Sequence, residues 1–149
     1  MGIHVSKVVE MFLGKVEGFW SKLFFAVKSW FFDEYYVPVS EGELTDIVTK
    51  WKQTLLPKLV YTPETFDCDD FASYFKAWAT KKAGKNAFAI CLGEVFFKGG
   101  KGYHAWNGVL VVSAKEKELK ILYVEPQTAE IFEKTSVDGW TYKLKAVVY

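Results

Sequence analysis

The spacing of apolar and polar positions divides the chain into a helical first half and a strand-rich second half. Over residues 4–32 apolar side chains recur at helical intervals. Val5, Val9, Phe12, Val16, Phe19, Leu23 and Trp30 form one seam, which Val8, Trp20 and Val27 widen. Lys7, Glu10, Lys15, Glu17, Lys22 and Lys28 lie mainly off that stripe, so the pattern predicts an aromatic amphipathic helix within residues 1–34. Such a helix either packs on the rest of the chain or contacts a second copy or a membrane surface.

Residues 35–39 read as a short extended piece. Ser40 and Glu43 have the spacing of a capping box, opening a helix that runs to about residue 54. Pro57 and Pro63 impose an irregular connection. A third helix is expected over 68–82, stopped by Gly84, with Phe71, Tyr74, Phe75, Trp78 and Ala79 at helical spacing. The period then changes to two. Strands are expected over 87–97, 103–113, 119–124 and 140–149, with a flexible turn at Gly99-Gly100-Lys101-Gly102 and a charged turn over 114–118. Helices followed by an antiparallel sheet define the α+β class. A chain of 149 residues fits one domain, residues 1–149, with the helix of 1–34 ahead of a core at 35–149.

Composition narrows the function. Half the residues are apolar, which marks a globular rather than a disordered chain. The net charge of +1 comes without a basic stripe, so nucleic acid is not an expected partner. Two cysteines, Cys68 and Cys91, are too few for a disulfide framework. Lysines interrupt the most apolar stretch, and it lacks the features of a membrane span or a secretory signal, so a soluble, cytoplasmic protein is the expectation.

Three short pieces carry chemistry: Asp67-Cys68-Asp69-Asp70, Tyr103-His104-Ala105-Trp106-Asn107 and Glu125-Pro126-Gln127. Cys68 falls on the first turn of the third helix with Asp67 as N-cap, where the helix dipole favours the reactive thiolate. His104 begins one strand and Glu125 ends its neighbour, so the two can face each other. A thiol, a base and an acid that holds the base are the parts of nucleophilic catalysis, with Cys68 attacking, His104 moving the proton and Glu125 orienting the ring. Taken singly, a cysteine is more often a small core residue and a strand histidine merely hydrogen-bonded. Their order and placement together favour catalysis. Trp106 shares the face of His104 and either shields the site or fills the core. Asn107 falls on the opposite face, Cys91 reads as core, and His4 and Glu94 carry no distinct signal.

Asp69 and Asp70 oppose the dipole and should raise the thiol pKa. They are either first-turn acids, with Asp70 closing a box onto Asp67, or oxygen ligands of a hard cation such as Ca²⁺ or Mn²⁺ that would cancel their charge.

The set Cys68-Asp69-Asp70, His104 and Glu125-x-Gln127 resembles the papain-like C-terminal domain of the fungal chimerolectins, the family typified by the Marasmius oreades agglutinin. More broadly it is similar to transglutaminase-like cysteine peptidases. The resemblance covers residues 61–128. It implies a Ca²⁺- or Mn²⁺-dependent cysteine protease with Cys68, His104 and Glu125 as triad, Asp69 and Asp70 as metal ligands, and Gln127 at or beside the metal and triad. It also implies an aromatic role for Tyr61 near the oxyanion site. The family's β-trefoil sugar-binding domain has no counterpart upstream, so lectin activity does not carry over. The reading is a cysteine peptidase or amidase acting on a peptide or protein. Its alternatives are a transglutaminase-like acyl transferase and a non-enzymatic assembly module using its aromatic helix, as a homo-oligomer or on a membrane.

Overall fold

In the computed structural model, residues 2–115, 117–137 and 139–149 are described, with Val27 described by its backbone alone. The chain opens with β1 (Ile3–His4) and α1 (Val5–Leu13), then α2 (Phe19–Lys28), β2 (Tyr35–Tyr36), β3 (Val39–Ser40), α3 (Glu41–Thr54) and a short 3₁₀ turn at Leu56–Lys58. There follow α4 (Cys68–Ala83), β4 (Phe88–Phe97), β5 (Gly100–Val112), β6 (Leu119–Glu125), β7 (Glu130–Phe132), β8 (Ser136–Val137) and β9 (Trp140–Val148). The α+β class is as expected.

The helix expected over residues 1–34 is two helices. The break spans Gly14 to Gly18, where Gly18 takes φ 82°, a value that would strain any residue with a Cβ. Because the break resets the helical phase, the seam runs through Val16 but does not continue into α2. Val8 and Phe12 of α1 are fully buried, whereas in α2 Phe25 is buried and Phe19, Trp20, Leu23 and Phe24 are exposed. The side chain of Val27, part of the expected seam, lies outside the described residues.

Local signals fix the other helices. Ser40 and Glu43 form the capping box of α3, with Ser40 N donating to Glu43 Oε2 at 2.7 Å and Glu43 N to Ser40 Oγ at 3.2 Å. Gly84 ends α4 in the left-handed conformation, φ 64°. Of the expected core positions of α4, Phe71, Phe75 and Ala79 are buried, while Tyr74 is exposed.

The sheet runs β7-β6-β5-β4-β9-β8, its successive neighbours antiparallel, and β3 adds in parallel beside Val111 and Val112 of β5. The flexible four-residue turn expected at 99–102 is shorter. Phe97 pairs with Gly100, so Lys98 and Gly99 alone make the turn and Gly100–Gly102 belong to β5. Of the charged turn over 114–118, Glu116 lies outside the described residues.

Both faces of the sheet are covered. On one, Phe12 of α1 packs so closely over β5 that a Cβ on Gly108 would lie 3.0 Å from its ring. On the other, Asn107 Nδ2 donates to Ala72 O of α4 at 2.9 Å and to Ala89 O of β4 at 3.0 Å. That bond ties the helix bearing Cys68 to the strand bearing His104. The indole of Trp51, on α3, donates to Pro126 O at 2.8 Å and so holds the segment that follows Glu125. Among the described residues no helix is long and apolar enough to cross a membrane.

Candidate active site

The three residues of the expected triad come from three elements: Cys68 from the first turn of α4, His104 from β5 and Glu125 from the end of β6. Asn107 pairs with Val124 in the β5–β6 ladder, which sets Trp106 and Glu125 on one face and carries His104 to the same side. His104 Nε2 lies 2.7 Å from Glu125 Oε2, and both side chains are nearly buried. The short contact fixes the ring, leaving Nδ1 as the nitrogen not engaged by the carboxylate.

Two connected clefts join Cys68 to His104. One is lined by Tyr61, Cys68, Val95, Phe97, Gly102, Tyr103, His104, Gln127 and Trp140. The other is lined by Cys68, Asp69, Leu92, Gly93, Tyr103, His104 and Ala105. The N–H of Ala105, the residue after His104, hydrogen-bonds the Cys68 sulfur. Cys68 is partly exposed and reduced, whereas Cys91 is fully buried, as its apolar strand suggested.

Burial pushes the Cys68 thiol above its ordinary range, and the charges of Asp67 and Asp69 add to that, against the N–H donors of Ala105 and Asp69. The expected conflict between thiolate and carboxylates is present, but Asp67 takes the place of Asp70 in it. Asp70 Oδ2 accepts the Asp67 N–H at 3.1 Å, the capping contact. Asp67 and Asp69 instead face each other through a shared hydrogen bond, which lowers the pKa of Asp67 and raises that of Asp69. Ligand atoms of Asp67, Cys68 and Asp69 all lie within 4.8 Å of one another. Gln127 lines the cleft of Cys68 and His104 on the Trp140 side, while Asp69 lines the other cleft. Tyr61 is half-exposed at the same mouth as Cys68, and burial followed by the Asp67 charge raises its pKa.

Trp106 is 1 % exposed and lies beneath the imidazole, with ring centroids 6.2 Å apart and planes 20° from parallel. It supports the base from the core rather than facing a substrate. Tyr142, on β9, donates from its hydroxyl to the same Oε2 of Glu125 at 3.3 Å. Its pKa is raised by burial first and by the Glu125 charge second. Sequence reasoning missed Tyr142 because its partner depends on the pairing of β9 with β4. It also took Asp67 as a cap alone. Asn107 points into the α4 interface and away from His104, as the strand alternation implied. Glu94 is engaged by Lys145 at 3.2 Å and Lys101 at 3.6 Å. His4 caps α1 through Nδ1.

Comparison with known proteins sets these residues in a family context. No curated protein matches the chain. Among solved structures, PSL1a in a complex with E64 superposes with a TM-score of 0.69 at 21 % identity, over 99 % of this chain and 51 % of that one. A Polyporus squamosus lectin, bound to the epitope Neu5Aca2-6Galb1-4GlcNAc, superposes with a TM-score of 0.56 at 25 % identity, over 82 % of this chain and 42 % of that one. The chain therefore spans about half the length of the solved structures it matches and shares the papain-like fold of PSL1a. The family model described as "Agglutinin C-terminal" matches residues 36–131, a span that holds Cys68, His104 and Glu125. By that match the chain belongs to the Agglutinin C-terminal family.

Proposed function

We propose that the chain is a cysteine peptidase or amidase acting on peptide substrates. The observation that carries this reading is the 2.7 Å contact of His104 Nε2 with Glu125 Oε2, on an imidazole that shares its cleft with the Cys68 thiol. The match to PSL1a, whose complex contains E64, a cysteine protease inhibitor, supports the same chemistry. In the reaction, His104 takes the thiol proton and the Cys68 sulfur adds to the substrate carbonyl carbon. His104 then returns the proton to the leaving amine as the C–N bond breaks and a thioester forms. Water adds to the thioester with His104 again as base, releasing the acid and restoring the thiol. Glu125 holds the ring and stabilises the imidazolium. The N–H of Cys68, at the first position of α4, has no acceptor within the helix, and in this reading it donates to the oxyanion.

The donor set fits a hard divalent cation such as Ca²⁺ or Mn²⁺ in part. Asp67 and Asp69 would hold it, since their carboxyls already meet, while Asp70 is engaged as a cap and Gln127 lies toward the other cleft. Bound there, such an ion would offset the carboxylate charge that disfavours the thiolate.

The test is mass-spectrometric labelling by E64. Modification of Cys68 and not Cys91, lost in His104→Ala, is the expected result. Iodoacetamide labelling of Cys68 with complete indifference to E64 would exclude the peptidase reading. Incorporation of an added amine into a glutamine peptide would assign the chain to the acyl transferases instead.

A further inference from the structure

Beside the catalytic cleft lies a second cavity, of about 470 Å³, lined by Ser21, Phe24 and Lys28 of α2, Leu92, Gly93 and Glu94 of β4, Tyr103 of β5, and Lys145 and Ala146 of β9. Leu92, Gly93 and Tyr103 line both this cavity and the cleft that contains Cys68 and His104. The two are therefore parts of one groove. A chain whose carbonyl lies at Cys68 and which runs over Gly93 places a neighbouring side chain in the cavity.

Three features define what that side chain is. First, the walls toward the cleft are apolar: Phe24 is 60 % exposed, Leu92 36 % and Tyr103 88 %, an aromatic and aliphatic surface left bare beside a reactive thiol. Bare apolar surface of this kind marks a contact site. Second, glycine sets the floor. A Cβ on Gly93 would clash with Lys143 O and lie 2.8 Å from the Trp106 ring, on the sheet face opposite Leu92, Glu94 and Tyr103, so only glycine lets β9 approach β4 this closely beneath the groove. Third, the far wall is cationic. The β4–β9 register shifts between Leu92 and Gly93: Leu92 pairs with Ala146 and Gly93 with Leu144, leaving Lys145 as the extra residue of a bulge. Lys145 holds Glu94 at 3.2 Å, and Lys28 adds a second ammonium to the lining, which leaves it one positive charge in excess.

We propose that this cavity is the specificity pocket of the enzyme, taking a large apolar side chain of a peptide substrate whose adjoining residue is acidic. The inference rests on the peptidase reading and deepens it. Most of the wall lies outside residues 36–131, which the family model spans: Ser21, Phe24 and Lys28 precede that region, and Lys145 and Ala146 follow it. The selectivity is thus built jointly by residues before and after that span and by Leu92 and Tyr103 within it. It also gives the exposed face of α2 a role.

The experiment compares rates of Cys68 modification by peptidyl epoxides that differ in one side chain, each within three residues of the reactive group. Leucine or phenylalanine is expected to exceed alanine and lysine by about tenfold at one of those positions. Phe24→Ala should reduce that ratio to about threefold or less, and Lys28→Glu should reverse a preference for an acidic over a basic neighbour. Because each ratio is taken within one variant, partial unfolding lowers both rates and leaves the ratio intact. Equal rates for leucine, alanine and lysine in the wild type, or a ratio untouched by Phe24→Ala, overturns the pocket while leaving the peptidase reading standing. Failure of every peptidyl epoxide on a thiol that iodoacetamide still alkylates overturns both.

Discussion

Replacing Asp69 by Asn tests the electrostatics of the site. The mutation removes one negative charge whose oxygen lies within 4.8 Å of the Cys68 sulfur, with the Asp67 charge left in place. Burial is the larger cause of the raised thiol pKa, so the mutation relieves only part of the shift. Asp69 is exposed, and water screens the pair. Two unit charges at that separation interact by about 0.9 kcal/mol in a water-like dielectric. At 1.36 kcal/mol per pKa unit, that is about 0.6 of a unit. The sign follows from the charge: the thiolate is the disfavoured form beside a carboxylate, so its loss lowers the pKa. The pH profile of Cys68 alkylation by iodoacetamide should move about half a unit to lower pH, raising the rate near neutrality about threefold. Cys91, fully buried in the same chain, reports any unfolding by becoming reactive. Added Ca²⁺ should move the wild-type profile in the same direction and the Asp69→Asn profile less. A profile that stays in place or moves to higher pH would show that the Asp69 charge does not reach the thiol.

Two further substitutions separate the site from its support. Tyr142→Phe removes one donor to Glu125 Oε2 and leaves the 2.7 Å contact of His104 in place. E64 inactivation should slow by about threefold to tenfold, with urea-unfolding stability changed by no more than about 1.5 kcal/mol, and an unchanged inactivation rate removes Tyr142 from any positioning role. Gly108→Ala would put a Cβ 2.9 Å from Cys91 Sγ and 3.0 Å from the Phe12 ring. The overpacking should cost about 1–3 kcal/mol in thermal denaturation, and a neutral result would mean that α1 is not seated on β5 as described.

What the sequence makes legible is local. The Ser40–Glu43 box and the stop at Gly84 are read from neighbouring residues, and both stand where expected. The grouping of Cys68, His104 and Glu125 is legible for a related reason. Cys68 opens α4 and Glu125 closes β6, with His104 inside the neighbouring strand β5, so an error of a residue or two in element bounds does not separate them. The break in the first helix was not legible. Gly14 and Gly18 each weaken a helix by about 1 kcal/mol, a cost that an apolar seam on both sides offsets in a linear reading. The outcome is set by tertiary packing: Phe12 and Phe25 are both buried, and one straight helix gives them no reason to turn at Gly18. Tyr142 was hidden by the bulge at Leu92/Gly93, because a shift of one residue in β9 moves every side chain to the other face.

The residues proposed to do the chemistry and those proposed to select the substrate differ in how a sequence can expose them. An imidazole and a carboxylate are expensive to bury without purpose, so their types beside a partly exposed thiol narrow the reading. The cavity beside them is walled by Phe24, Leu92 and Tyr103, residue types that a core uses just as readily. Phe24 and Phe25 are neighbours of one kind in one helix, yet the first is 60 % exposed and the second 0 %. Only the direction of each side chain separates a contact surface from a core contact, and that direction was fixed by the break at Gly18. The same break that defeated the linear reading of the N-terminal segment therefore aims Phe24 at the groove.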